Sequence, residues 1–186
     1  MTRLSLKPAT SLYPQPAVMV TAGDFEAAKN IITLAWVGVA CSDPPMVTIG
    51  VRPERFTYRM IKDGGEFVIN IPSAGLVRAV DICGNTSGKT TDKFKLTGLT
   101  AIKAQKVKAP AIAECPVNLE CEVRGFHHLG SHDLFIGEVV NITADDAVLD
   151  QHGHLDLGKI DPLAYGGGDY WSLGRRLGVY GFSKKS

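Results

Sequence analysis

Two long runs in the second half of the chain constrain its fold more than anything else. Over Asn118–Leu129, the residues Leu119, Cys121, Val123 and Gly125 recur at period two. Over Leu134–Thr143, Phe135, Gly137, Val139 and Asn141 share one face, and Leu134, Ile136, Glu138, Val140 and Ile142 the other. A period of two belongs to strands, whose side chains alternate between faces. Gly130-Ser131-His132-Asp133 between the runs has the composition of a turn, so they predict a long antiparallel pair.

The rest of the chain supplies further strands and a few short helices. Ala17–Thr21 is a β-prone run ended by the turn signal Gly23-Asp24. Ile31–Cys41 is β-branched and aromatic without a charge, which predicts one strand buried on both faces or covered by a partner. Asp43-Pro44-Pro45 breaks it, and Met46–Val51 returns as the second strand of a hairpin-like pair. Arg52-Pro53-Glu54 predicts a helix start, with Tyr58, Met60 and Ile61 inward and Gly64-Gly65 as the stop. Glu66–Ile71 alternates as a strand closed by Pro72. Leu76, Val77, Val80 and Cys83 form a helical stripe, and Asn85–Lys93 reads as a polar loop. About six or seven strands with short connections, against two or three short helices, predict a mainly β fold with flanking helices. The expected architecture is an antiparallel barrel formed by one domain over 1–186, with 162–186 as a glycine- and aromatic-rich tail of no regular pattern.

Charge narrows the partners. Lys and Arg number 20 against 19 Asp and Glu, a net charge of +1, which predicts no nucleic-acid surface and no anionic-membrane surface. Met1–Pro16 has no apolar core of the kind a secretory signal needs, and Ile31–Cys41 is about half the ~20 residues of a spanning helix. The expected location is the cytoplasm. There the four cysteines, Cys41, Cys83, Cys115 and Cys121, which make no C-x-x-C pair, are expected to be reduced thiols, inert where buried.

Familiar reaction motifs are missing. Gly166-Gly167-Gly168 does not open a helix after a strand, and there is no phosphate-binding loop or nucleophile elbow. His127, His128, His132, His152 and His154 lack metal-ligand spacing, so no metal site is expected. Asn30 and Thr33 begin a strand, where they either bond neighbouring backbone or form an edge that hydrogen-bonds a planar heterocycle. Arg52, Thr57 and Lys93, with the donor-rich Ser87–Lys93 loop, could meet a phosphate if they converge; otherwise they are solvated surface.

The blocks N-I-I-T-L-A-W at 30–36, C-S-D-P-P-M at 41–46, R-P-E-R-F-T-Y at 52–58, S-G-K-T-T-D-K-F at 87–94, G-S-H-D-L-F-I-G-E-V at 130–139 and L-A-Y-G-G-G-D-Y-W-S-L-G at 163–174 occur in order. Together they resemble the flavin-reductase-like, FMN-binding split-barrel family, with its flavoredoxin branch closest. The resemblance implies a split β-barrel that forms a homodimer and holds FMN non-covalently in a groove at or near the subunit interface. It implies that Asn30, Ile31, Ile32, Thr33, Ala35 and Trp36 edge the isoalloxazine. It places Cys41, Ser42, Arg52, Thr57, Ser87, Gly88 and Lys93 on the sugar-chain and phosphate side, His132 near the flavin, and Tyr170 and Trp171 over it. No catalytic side chain is expected, because the cofactor carries the electronics. The implied activity is a reductase that takes hydride from NADH or NADPH and passes electrons to free flavin, ferric iron or a protein. The alternatives are a flavoredoxin-like carrier with no nicotinamide site, reduced and oxidised by a redox partner protein, and a non-redox flavin-binding module.

Overall fold

The computed structural model describes residues 1–184. In chain order its strands are β1 (Gln15–Pro16), β2 (Val18–Gly23), β3 (Lys29–Leu34), β4 (Val37–Ser42), β5 (Pro45–Val51), β6 (Glu66–Ile71), β7 (Ala101–Ile102), β8 (Ala111–Ile112), β9 (Val117–His128), β10 (Asp133–Ala144), β11 (Leu163–Gly166) and β12 (Asp169–Ser172). Its α-helices are α1 (Phe56–Gly64), α2 (Val77–Asn85), α3 (Lys93–Thr97) and α4 (Leu157–Ile160).

Seven strands form one antiparallel sheet in the order β3-β2-β6-β9-β10-β5-β4. Its two edges, β3 and β4, are separated in sequence only by Ala35 and Trp36. Consecutive Cα atoms lie about 3.8 Å apart, so edges joined by so short a link must meet at one corner. The sheet therefore curls into a barrel split along that seam. The Gly50 N–H donates to the Trp36 carbonyl at 2.7 Å and holds the corner. Ile31–Cys41, expected as one strand, is thus two strands on opposite edges. No glycine, proline or charge marks the bend, because both halves are β-prone and the corner comes from pairing with β2 on one side and β5 on the other.

The central pair, β9 with β10, runs from Val117↔Ala144 to His128↔Asp133, with register shifts at Ile136/Gly137 and Val139/Asn141. Bulges of this kind sharpen local twist and bend a strand, which a curling sheet requires. Gly137 lies directly over Phe67: a Cβ there would sit 2.6 Å from the Phe67 ring and 3.3 Å from the Cys121 Cβ. Phe67 and Cys121 are fully buried and have nowhere to go. Gly137→Ala is expected to destabilise the protein by about 2–3 kcal/mol, read as a lower urea midpoint with unchanged slope.

Strand alternation sorts the core into two layers. Val18, Val20, Ile32, Leu34, Ile49, Phe67 and Phe135 fill the barrel with Tyr58 and Ile61 of α1. The intervening residues Met19 and Ile31 point outward and pack under Val80 and Cys83 of α2 and Leu163 of β11. Burial on both faces explains why these strands are apolar throughout rather than alternating. Helix α1 begins at Phe56, later than the Arg52-Pro53-Glu54 signal, and Met60 is only partly buried. Within α2, Val80 and Cys83 face the core, whereas Val77 is exposed.

The tail is more regular than expected. β11 pairs with both β1 and β12. The hairpin turns through Gly167 and Gly168, whose φ of 67° and 98° are the left-handed values a two-residue turn demands. The glycine triplet is therefore a hairpin turn.

One buried carboxylate ties the irregular 103–110 segment to the sheet. Glu120 on β9 accepts from the N–H groups of Gln105 (3.0 Å), Lys106 (2.6 Å) and Val107 (3.3 Å) and from the Asn141 amide (2.8 Å). Burial alone would raise its pKa, but these donors hold it below the usual carboxylate value.

Candidate functional site

Two adjoining cavities open beside the seam. The larger, of about 380 Å³, is lined by Ile32–Trp36, Arg52 and Arg55 ahead of α1, Asp81, Gly84 and Asn85 of α2, His132 in the β9–β10 turn, and Tyr165, Gly168 and Tyr170 of the tail hairpin. The smaller, of about 120 Å³, shares Ile32, Arg55 and Gly84 and adds Asn30, Thr57, Cys83, Ser87, Gly88, Lys89 and Lys93 among others.

The small cavity is built for an anion. Lys93, 4% exposed, donates from Nζ to the carbonyls of Ile31 (2.8 Å) and Cys83 (2.7 Å). An ammonium has three protons, so these two bonds leave one unassigned. Among the described residues no carboxylate forms an ion pair with Lys93. Burial pulls its pKa from an ordinary 10.5 to about 8, with Cys83 opposing the shift and Arg55 adding to it. A buried cation without an anion is costly. Helix α1 points the same way: its first turn has neither a side-chain cap nor an acidic residue, and Arg55, Phe56 and Thr57 border this cavity. Uncapped N–H groups and the helix dipole favour negative charge there. The Asn30 amide donates to the buried Thr57 hydroxyl at 2.7 Å. Gly88 lies against Asn30 so closely that any Cβ would strike its carboxamide, which lets the 87–89 backbone come right down onto β3.

The larger cavity has a flat wall and a polar edge. Trp36 and His132 stack, with centroids 5.6 Å apart and planes 5° from parallel. Burial, then the nearby Arg52, holds the His132 imidazole below its usual pKa and favours the neutral ring. The turn carrying His132 is anchored by its neighbour Asp133, which accepts from the Tyr58 hydroxyl (2.5 Å) and meets His128 Nδ1 (2.6 Å). The hydrogen bond to Asp133, helped by burial, pushes the Tyr58 phenol up to about 12. Across the cavity, the Tyr170 hydroxyl meets Asp81 at 3.4 Å. The Ile31 carbonyl lies on the free edge of β3, and strand alternation puts the Thr33 backbone on the same edge. The Thr33 hydroxyl itself donates to the Val80 carbonyl at 2.5 Å.

Of the residues singled out from sequence, Asn30, Ile32, Thr33, Ala35, Trp36, Arg52, Thr57, Ser87, Gly88, Lys93 and His132 line these two cavities. The Ile31 side chain belongs to the outer core, and only its backbone reaches the site. Cys41 and Ser42 end β4, are exposed, and line neither cavity. Cys41 is thus not a buried thiol; burial raises the thiols of Cys83, to about 11, and of Cys121, to about 12. Tyr170 borders the larger cavity, whereas Trp171 does not. Arg52 pairs with Glu54 at 3.7 Å and borders only the larger cavity, while Arg55 borders both. Sequence reasoning missed Arg55 by starting the helix too early. It missed Asp81 and Asn85 because they lie on the polar side of the α2 stripe. Among the described residues no three His, Cys, Asp or Glu side chains gather as a metal site, and no helix is long and apolar enough to cross a membrane.

Comparison with known proteins follows this geometry. Residues 10–174 match the family described as the flavin reductase like domain. The flavoredoxin of Desulfovibrio vulgaris (Miyazaki F) is 33% identical, with a TM-score of 0.91 over 99% of this chain and 100% of that one. The flavoredoxin of Methanosarcina acetivorans is 29% identical, with a TM-score of 0.91 over 100% and 98%. An FMN-binding protein of Thermus thermophilus, 23% identical, shares the fold at a TM-score of 0.81 over 96% and 99%. The sheet split at Ala35–Trp36 and the match over nearly the whole chain make this protein a member of the flavin reductase-like family, in its flavoredoxin branch.

Proposed function

We propose that the protein holds FMN without a covalent bond and passes electrons through it from NADH or NADPH to free flavin, ferric iron or a protein acceptor. The observation that carries the cofactor assignment is Lys93: a buried ammonium, unpaired with any carboxylate among the described residues, beside an uncapped helix N-terminus. A phosphate monoester carries about −1.5 to −2 charges near neutral pH and supplies the missing anion. Lys93, the α1 N-terminus, Ser87 and Thr57 would hold the phosphate, with Arg55 at the junction. The free edge of β3 would hydrogen-bond the ring edge, and Ile32, Trp36 and the tail tyrosines would bound its faces. FMN, when bound, takes up hydride and releases electrons, which the chain's own side chains cannot do. The residues bind, orient and exclude water: neutral His132, stacked on Trp36, adds no positive charge to that wall.

The likeness to two flavoredoxins favours a second reading, an electron carrier that a partner protein both reduces and oxidises. A visible spectrum taken anaerobically separates the two. Flavin bands near one per chain that bleach with NADH or NADPH support the reductase and name its donor. Bands that persist until dithionite is added support the carrier. Unreactive flavin supports a non-redox module, and a colourless protein that ignores added FMN overturns the cofactor assignment.

The proposal extends to a cytoplasmic homodimer. Leu4, Leu6 and Leu12 of the N-terminal segment and Val39 of β4 are each at least 80% exposed, apolar surface that a second copy would cover. Light scattering should give twice the chain mass; a monomer at micromolar concentration removes the dimer.

A further inference from the structure

Lys93 has a chemistry that holding a phosphate leaves unused. It lines the small cavity, and its Nζ donates to the carbonyls of Ile31 on β3 and Cys83 on α2. An sp³ nitrogen is tetrahedral, so its own carbon and these two bonds leave one direction open. In the ammonium that direction holds the third proton, the one an anion takes; in the neutral amine it holds the lone pair. The two carbonyls therefore orient a nucleophile whenever the nitrogen is unprotonated. Burial makes that state common, drawing the pKa from 10.5 to about 8. At pH 7 a lysine titrating at about 8 has roughly 200 times the neutral fraction of an ordinary one at ~10.4.

The surroundings favour the amine as the reacting group. The other charged or titratable residues lining the cavity are Cys83 of α2, Glu54 and Arg55 ahead of α1, and Lys89 of the facing loop. Asp92, next to Lys93 in the chain, accepts from the Lys95 N–H and caps α3. Glu54 pairs with Arg52. Burial pushes the Cys83 thiol up to about 11, which keeps it protonated and leaves Lys93 as the nucleophile of the cavity. The same cavity supplies donors for a phosphate. They are the uncapped start of α1, the Ser87 hydroxyl and Thr57, whose hydroxyl accepts from Asn30 and so keeps its own proton to give. An oriented amine beside a phosphate cradle matches one class of electrophile, a phosphate joined directly to a carbonyl carbon.

We propose that Lys93 is an acylation site for small acyl phosphates, and that acylation closes the cavity to a flavin phosphate. The Nζ lone pair forms a bond to the acyl carbon. The bond from that carbon to the phosphate oxygen breaks with its electron pair on the oxygen, and the departing phosphate takes the proton that nitrogen loses. The amide left behind has no charge and no third proton, so the cavity loses its buried cation. Acylation itself stands on Lys93 and its cavity; only its effect on FMN rests on the flavin reading above.

Treating the flavin-free and FMN-loaded chains with acetyl phosphate, then mapping acetyl groups by peptide mass spectrometry, tests the site. In the flavin-free chain Lys93 should react at least about tenfold faster than Nα-acetyl-lysine amide in the same mixture, since its weaker basicity offsets only part of its larger neutral fraction. Its rate should level off above about pH 8 while that of the free amine keeps rising. Inorganic phosphate and bound FMN should each slow it. Ser87→Ala should slow acetyl phosphate by about tenfold and leave 4-nitrophenyl acetate, which has no phosphate, within about twofold. The acetylated chain should bind FMN at least about tenfold more weakly than the untreated one. Acetyl groups confined to surface lysines, or a Lys93 no faster than the free amine, overturn the proposal. So does a Ser87 variant that slows both reagents alike, or an acetylated chain that holds FMN as before. A chain that binds no FMN yet reacts at Lys93 keeps the acylation site and sinks the flavin reading; one that binds FMN with an inert Lys93 does the reverse.

Discussion

Lys93→Met should lower FMN affinity by about 10- to 150-fold, the equivalent of about 1.5–3 kcal/mol for a hydrogen bond to a charged group. The effect on folding should be much smaller. The substitution strands the carbonyls of Ile31 and Cys83, but it also removes a charge that burial makes costly. These terms oppose each other, so stability without flavin should move by only about 1 kcal/mol, whereas a purely structural lysine would lose fold and cofactor together. The pH dependence has a definite sign. In the flavin-free protein Lys93 titrates at about 8, below its ordinary 10.5, so between those values the unfolded chain binds the extra proton and stability rises with pH. Binding a phosphate draws that proton back. FMN affinity should therefore fall as pH rises from 7 to 9, a range in which the phosphate, with its second pKa near 6, stays doubly charged. Titrations at the two pH values should show the fall in wild type and a flat response in Lys93→Met; a flat wild type would take Lys93 out of the anion site.

Glu120→Ala should be the most damaging single change to the fold, at about 3–5 kcal/mol. It leaves the N–H groups of Gln105, Lys106 and Val107 without their acceptor, each at about 1–3 kcal/mol if it stays buried. Against a total stability of about 5–15 kcal/mol this is a large fraction, and for a chain of this size it lowers the melting temperature by roughly 10 °C. The acid side follows from the same carboxylate. Its folded pKa lies below the ordinary value of 4.5, so the stabilisation is complete above 4.5 and is lost as pH falls through the depressed folded value. Wild type should lose stability in that window and Glu120→Ala should lose less of it; parallel profiles would mean that Glu120 is not charged in the folded protein.

How much of this was legible in the sequence differs from element to element. The β9–β10 pair and β6 were plain, because alternation is a local property that survives whatever the sheet does elsewhere. The corner at Ala35–Trp36 was not, because it is set by which distant strand each half pairs with, and a charge-free run with no glycine or proline at the bend looks the same bent or straight. The tail hairpin was hidden for a related reason. Leu163 and Ala164 are buried only through contacts with the first strand and the outer core, so no amphipathic pattern announces them. In the site, Thr57, Ser87, Gly88 and Lys93 are expected on the phosphate side and do converge on one cavity, which Asn30, expected at the ring edge, also lines. Burial is what turned Lys93 from one basic residue among many into an unpaired cation, and burial comes from α2 and α3 closing over β3. Arg55 was lost to a difference of a few residues in the start of α1, the kind of boundary that capping decides and that Arg52-Pro53-Glu54 signalled too early.

The tail hairpin also has a consequence for how the protein is made. Every other residue lining the larger cavity precedes β11 in the chain, with His132 the latest of them. Tyr165 and Tyr170 therefore complete the wall only after translation has passed β12, and β1 waits with its edge unpaired until β11 emerges to join it. All seven strands of the main sheet and every residue lining the small cavity precede β11, whereas the wall of the larger cavity is completed from beyond it. A chain that stops short of Leu163 therefore lacks Tyr165, Gly168 and Tyr170 and leaves that wall of the cavity open.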